Sequence, residues 1–429
     1  MRECVPVDGQ WRSVWVKVSG RVSRSFAPIR LRARHCLPWV WALSLCVSAH
    51  TATSSGPNEG ATASDVSGTV APWRVEVPRS GLAILPFTVQ AYDDAVYCTV
   101  LGGPPGFTCG LLALSPTTGE RKWMRPLAAT GEPSLVARTG KYVGVIVDAE
   151  ASVQGLDRDS GHVAWMLILR REFRLQNCSR RIAADQDLFF VAATNNYDRV
   201  LALDAATGLA VWSRAVGTEL LESAVLVGER LVVANVKGQV YGVDARSGEM
   251  VWTTLVSNGP GELAAAGPYV LWHGAADVAC LDASDGRAVW TKPLAEPAPL
   301  LASDADAGRL YVRCAEPSQV AAFALAGGQE IWSFPTHEEI GSPIVVFGDK
   351  VIFLEGRLHV RRLWVLDAKS GQPLASFDLT GKDVRFTARN VDANRYGVYI
   401  PVQEVQGEQT CAYIQFLPWD QLFPQVSPE

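Results

Sequence analysis

No two of the nine cysteines in this chain of 429 residues are adjacent, none form a CxxC or CxxCH spacing, and the six histidines do not cluster. A structural zinc site or a covalently attached haem therefore lacks its ligand pattern. The apolar stretch Cys36–Ala49 falls short of the roughly 20 residues that a membrane-spanning helix needs. Basic charge is also scarce, with 39 Lys/Arg against 44 Asp/Glu. Residues 1–49 hold eight of the basic residues and two of the acidic ones, leaving 31 against 42 in the remainder, a net of −11. Such a balance argues against a general nucleic-acid binder. The composition, 48% hydrophobic and 19% charged, is that of a globular chain able to build a large core.

Residues 1–49 read as a secretory signal. A basic segment, Arg32–Arg34, precedes the apolar stretch CLPWVWALSLCVSA, and Val47-Ser48-Ala49 supplies small residues for cleavage. The expected location is the periplasm or the outer membrane, with release outside the cell as the alternative. Lipidation at Cys46 is the lesser expectation, because Leu45 is too large for the position before a lipidated cysteine. Residues 50–70 are rich in Ser, Thr, Gly and Ala without apolar period and read as a linker. Six cysteines follow: Cys98, Cys109, Cys178, Cys280, Cys314 and Cys411. An even number in an exported chain permits disulfides, and Cys98 with Cys109 would flank one loop; buried free thiols are the alternative.

The dominant feature is a repeat. In VLALDAATGLAVWSRAV (200–216), an apolar run leads to Asp204, then Gly208, then Trp212. The frame returns at Asp157, Gly161 and Trp165, at Asp244, Gly248 and Trp252, and at Asp282, Gly286 and Trp290. Ser115 replaces Asp before Gly119 and Trp123, Ala324 replaces it before Gly328 and Trp332, and Asp367 with Gly371 has Ala375 in place of Trp. The glycines recur every 38 to 47 residues, the period of propeller blades. Five residues from Asp to Gly suit a tight hairpin, in which the carboxylate accepts backbone N–H groups and Gly takes a positive φ. The Trp on the next strand is expected to wedge between neighbouring sheets, with its indole N–H finding an acceptor.

Trp73–Val77 resembles the strand after a turn but has no turn before it, and Cys411–Leu417 resembles the strand before a turn but has no partner after it. Together they complete one blade and close a ring without a seam. Seven full units and this split blade predict an all-β chain: an eight-bladed propeller of four-stranded antiparallel blades over residues 71–420, with a tail at 421–429. A monomeric ring is expected. Trp419 lies outside the repeat frame and is expected to matter less than Trp212.

The unit ALDAATGxxxW at Ala202–Trp212, repeated with this period from about Trp73 to Trp419, resembles the PQQ-like (pyrroloquinoline-quinone-type) propeller repeat. The resemblance implies either a quinoprotein dehydrogenase or a non-enzymatic propeller like those of outer-membrane β-barrel assembly. The dehydrogenase would need PQQ, a calcium held by carboxylate and amide oxygens, a catalytic carboxylate and usually an adjacent-cysteine disulfide, and that cysteine pair is missing here. The reading adopted is a non-catalytic protein-interaction scaffold without cofactor or metal, with the dehydrogenase and a small-ligand sensor as alternatives.

In such a ring the first and third connections of each blade lie on one face, and the longer, variable ones on the other, where binding is expected. Two of these are basic: Arg170, Arg171, Arg174, Arg180 and Arg181 crowd one, and Arg357, Arg361 and Arg362 another. An acidic protein surface is the expected partner, any membrane association coming through that partner. The repeated aspartates belong to turns and are not assigned to catalysis.

Overall fold

The structure, a computed structural model, describes residues 2–7, 10–15 and 70–423, apart from 77–87, 102–108, 128–135, 148–151, 170–176, 196, 218–220, 258, 275–276, 294–300, 315–317, 357–361, 380–384, 388–389 and 407–408. The chain divides into two units, Met1–Cys46 and Val47–Glu429. The first contains an antiparallel hairpin of Arg2–Val7 with Gln10–Trp15. The signal's apolar stretch lies outside the described residues. No helix among the described residues is long and apolar enough to cross a membrane.

The second unit is an eight-bladed propeller. Each of the first seven blades is an antiparallel sheet whose strands run in sequence order from the innermost to the outermost. The third blade, for example, runs Asn177–Ala184, Leu188–Asn195, Tyr197–Asp204 and Ala210–Gly217. The eighth is assembled from both ends of the unit. Trp73–Glu76 pairs with Gln409–Pro418, setting Trp73 opposite Phe416 and Glu76 opposite Tyr413. Eight apolar clusters fill the eight spaces between neighbouring blades, including the closing one, where Val89, Cys98 and Leu112 of the first blade meet Tyr399, Ile414 and Phe416 of the eighth. With no gap between the ends, neither end blade exposes an apolar face to water.

The repeat frame has one geometry throughout. Gly208 (φ +70°) donates its N–H to the Asp204 carbonyl at 2.8 Å, and the Asp204 carboxylate accepts the Thr207 N–H and hydroxyl at 2.8 and 2.7 Å. The degraded copies keep the backbone bond: Gly119 donates to Ser115 and Gly328 to Ala324. Each repeat tryptophan reaches into the next blade. Trp165 lies flat against Gly208, where an added Cβ would come within 2.4 Å of the indole ring, and its Nε1–H donates to the Ala205 carbonyl at 2.8 Å. Trp123, Trp212, Trp252, Trp290 and Trp332 do the same to Gly161, Gly248, Gly286, Gly328 and Gly371 and to the carbonyls of Arg158, Ala245, Ala283, Leu325 and Ala368. At the ring closure Trp73 lies on Gly119 and donates to Pro116.

The seventh blade, with Ala375, has no such tryptophan. Its place is taken from the C-terminus. The helical turn Trp419–Leu422 stacks Trp419 between Phe347 and Phe423, with centroids at 6.0 and 6.1 Å, and Trp419 Nε1 donates to the Asn394 carbonyl of the eighth blade at 3.0 Å. Trp419 therefore bridges the seventh and eighth blades, and the expectation of a minor role for it is corrected.

No disulfide joins Cys98 and Cys109. Cys98 stands opposite Leu112 and Cys109 opposite Leu101, and the two thiols enter different inter-blade cores. Burial pushes the Cys98 thiol up, Cys109 to about 11 and Cys280 to about 12. All three are protonated at neutral pH, which removes their nucleophilic form.

Candidate functional site

The Asp–Gly turns and the short turns between first and second strands form one face. The strand ends that bound the remaining connections form the other. The longest described connection on that variable face is 336–344, between the sixth and seventh blades, and its polar groups are nearly all engaged. Thr336 N–H donates to the Ser318 carbonyl, the Ser318 and Thr336 hydroxyls both reach the Glu338 carbonyl, and Gly341 N–H donates to Leu354.

The centre of this connection is Glu355, the last residue of Lys350–Glu355, whose side chain is 4% exposed. Its Oε1 accepts the N–H groups of His337 and Glu338 at 2.6 and 2.9 Å, and its Oε2 accepts Trp364 Nε1–H at 2.8 Å. A buried carboxylate survives only with such donors around it. Arg313 Nη1 donates to the Ile340 carbonyl at 2.8 Å, and Ile340 bridges Glu355 through the backbone. The result is a fixed loop that presents an exposed His337 and the half-buried Glu338 and Glu339. Beside it, Trp364 packs edge-on to Phe334 at 5.1 Å and carries the Arg362 guanidinium 5.3 Å from its ring centroid.

The basic residues read from the sequence are placed unequally. Arg362 is not in a loop: it opens the strand Arg362–Asp367, opposite Glu355, and its Nε pairs with Asp378 Oδ1 at 2.7 Å. Arg180 and Arg181 likewise fall on the innermost strand of the third blade, Asn177–Ala184, where the register shifts between Cys178 and Ile182. Arg170, Arg171, Arg174, Arg357 and Arg361 lie outside the described residues. Only the second group thus has a member beside a described site, and Glu355, which organises it, was missed. The available signal was a carboxylate ending the apolar run VIFL.

The innermost strands are stitched to one another by buried polar side chains. Asn390 Oδ1 accepts Val89 N–H at 2.7 Å, Asp392 Oδ2 accepts Ala91 N–H at 2.8 Å, and the Gln90 amide both donates to and accepts from Val136. These groups hold blades together. Among the described residues no three His, Cys, Asp or Glu side chains converge as metal ligands.

A closed ring of blades locked by Asp–Gly turns and inter-blade tryptophans, with one face of uniform turns and one of varied connections, defines a PQQ-type β-propeller. Residues 149–299 and 257–400 match the family model described as outer membrane protein assembly factor BamB. The chain belongs to this family of BamB-like PQQ propellers. No curated protein matches the sequence. Among solved structures, BamB from Moraxella catarrhalis is 14% identical with a TM-score of 0.53, over 80% of this chain and 98% of that one. The quinohemoprotein alcohol dehydrogenase ADHIIG from Pseudomonas putida HK5 is 12% identical with a TM-score of 0.57, over 80% and 75%. The computationally designed protein Ika8 is also 12% identical, with a TM-score of 0.57 over 79% and 98%. At these identities the likeness is one of fold, shared by assembly factors, enzymes and a designed ring alike.

Proposed function

We propose that this chain is an exported, non-catalytic propeller that acts as a protein-interaction scaffold in the cell envelope, in the assembly of outer-membrane proteins. The observation that carries the reading is the Glu355-centred loop: a buried carboxylate holds a surface loop rigid on the variable face, and a preformed loop conformation lowers the ordering cost of binding a partner. The family match supports the assembly context. The basic residues Arg170, Arg171, Arg174, Arg357 and Arg361 belong to connections of the same face by sequence, and guanidinium groups pair bidentately with carboxylates, so the partner is an acidic protein surface. The test is capture of partners from solubilised envelopes on the immobilised protein, run beside a dye-reduction assay with added PQQ and calcium. Recovery of outer-membrane assembly components without dye reduction is expected. Quinone- and calcium-dependent dye reduction would replace this reading with the dehydrogenase one.

A further inference from the structure

Buried polar atoms without a hydrogen-bond partner are few in native folds, and each one points to a partner that its surroundings must supply. Among the described residues four buried side-chain atoms have none: Tyr97 Oη, Arg158 Nε, Arg230 Nε and Trp272 Nε1. All four can donate. The last two lie at opposite ends of the fourth and fifth blades, Arg230 opening the strand Arg230–Asn235 and Trp272 near the end of Tyr269–Gly274. Tyr97 and Arg158 belong together, on the two walls of the space between the first and second blades.

Aromatic rings lead from one to the other. Tyr97, 1% exposed on the second strand of the first blade, sets its ring 5.9 Å from that of Trp123, whose indole N–H donates to the Arg158 carbonyl at 2.9 Å. It also meets Tyr92 edge-on at 5.8 Å, and Tyr92 carries the Arg138 guanidinium 4.6 Å from its ring centroid. Burial holds the Tyr97 phenol above its usual pKa although Arg138 and Arg158 pull it down, so it keeps its proton and stays a donor. One carboxylate serves three cations here. Asp94 Oδ1 takes Arg138 Nη1 at 2.5 Å, the Asp94 carbonyl takes Lys122 Nζ at 2.8 Å, and Oδ2 stands 3.4 Å from Arg158 Nε without closing a hydrogen bond. Asp159 comes only within 4.0 Å of Arg158 and is exposed, and Asp93 pairs with Arg395.

We infer that the space between the first and second blades binds one small monovalent anion of the halide class, held by the Tyr97 hydroxyl and the Arg158 Nε–H. A water molecule would satisfy the two donors but leave the surplus of positive charge, whereas an anion answers both. Both donor atoms are closed to solvent, which keeps out a carboxylate carried on a partner protein or a phosphate. An ion of atomic size needs only a shift of the half-buried Arg138 and Arg158 side chains to enter. Once bound, it ties the Asp94 turn of the first blade to the Asp157–Gly161 turn of the second, where the guanidinium groups otherwise repel one another. This site belongs to the face of uniform turns, so the inference stands independently of the partner proposed for the variable face.

The test is thermal unfolding of the full chain in sodium chloride and in sodium gluconate at one ionic strength, about 0.15 M, read beside the chlorine NMR line width of the chloride sample. The parent is expected to unfold about 2 °C or more higher in chloride, because an ion bound only by the folded state raises its midpoint, and to broaden the chloride line. Tyr97→Phe should unfold at the same temperature in both salts and leave the line narrow. Its midpoint in gluconate should not fall below the parent's, since the substitution removes a donor that lacks an acceptor. Arg158→Met, which keeps the apolar stem and loses the Nε–H, takes its place should Tyr97→Phe fail to fold. Equal midpoints in the two salts for the parent would mean that water alone occupies the space and would overturn the inference. So would a chloride advantage that persists undiminished in the variant, which is a general salt effect.

Discussion

At the scale of single residues, the tryptophans divide the labour of holding blades together. Trp212 and Trp419 have unrelated positions in sequence but act alike, each spanning an inter-blade space with its indole N–H donated to a carbonyl, Trp212 to Ala245 of the fourth blade and Trp419 to Asn394 of the eighth. Trp212 is half-buried, so Trp212→Ala is expected to cost toward the lower end of the about 3–5 kcal/mol range for deleting a buried aromatic. Trp419→Ala should fall in that range rather than below it, because the seventh blade has only Ala375 to offer instead. Chemical denaturation midpoints of the two variants, read against the parent, check both. The reach of Trp212 was legible from its place in the repeat. That of Trp419 was not, because its role comes from a missing tryptophan more than forty residues earlier in the chain and is visible only once both are in space.

The turn aspartates make a second residue-scale prediction. Asp157, Asp204, Asp282 and Asp367 are held below the usual carboxylate range first by the hydroxyls of Ser160, Thr207, Ser284 and Ser370, and Asp244 first by the Ser247 backbone N–H. A carboxyl whose folded pKa is depressed adds stability above its unfolded value, about 3.9, and loses it as pH falls through the folded value. Stability should therefore be flat at neutral pH and fall once the pH drops below about 4. Asp204→Asn and Asp244→Asn should each flatten that fall, as measured by urea denaturation at stepped pH. An unchanged slope in both variants would contradict the assignment.

At the scale of elements, the variable face depends on one buried side chain. Glu355→Gln replaces a three-fold acceptor with a group that must present N–H to one of its present donors, either Trp364 or the His337 and Glu338 amides. A cost of about 1–3 kcal/mol is expected, the penalty for leaving a buried donor unsatisfied. Amide exchange should quicken at His337 and Glu338 while the Asp204–Gly208 turn stays protected; equal protection in parent and variant would mean that Glu355 does not clamp the loop. Sequence shows why the Glu355 clamp escaped reading, although the loop itself reads as one of the longer connections of the variable face. The turns are encoded within five residues, so Asp, Gly and Trp spacing reveals them, but the loop 336–344 is fixed by a carboxylate on another strand. Arg180 and Arg181 show the converse error: charge density reads as loop, although the backbone there is an innermost strand.

At the scale of the whole molecule, the eightfold ring followed from two half-blades at opposite ends of the propeller sequence, each lacking what the other has. The structure bears this out in the pairing of Trp73–Glu76 with Gln409–Pro418. The most direct measurement is partner capture by the parent and by a variant carrying Arg170→Ala, Arg171→Ala and Arg174→Ala, at low and high salt. The three arginines lie outside the repeat frame that locks the blades, so folding should be nearly unchanged. Capture should weaken in the variant, and rising salt should reduce it more steeply in the parent. Equal capture with equal salt response would contradict an electrostatic partner site on this face.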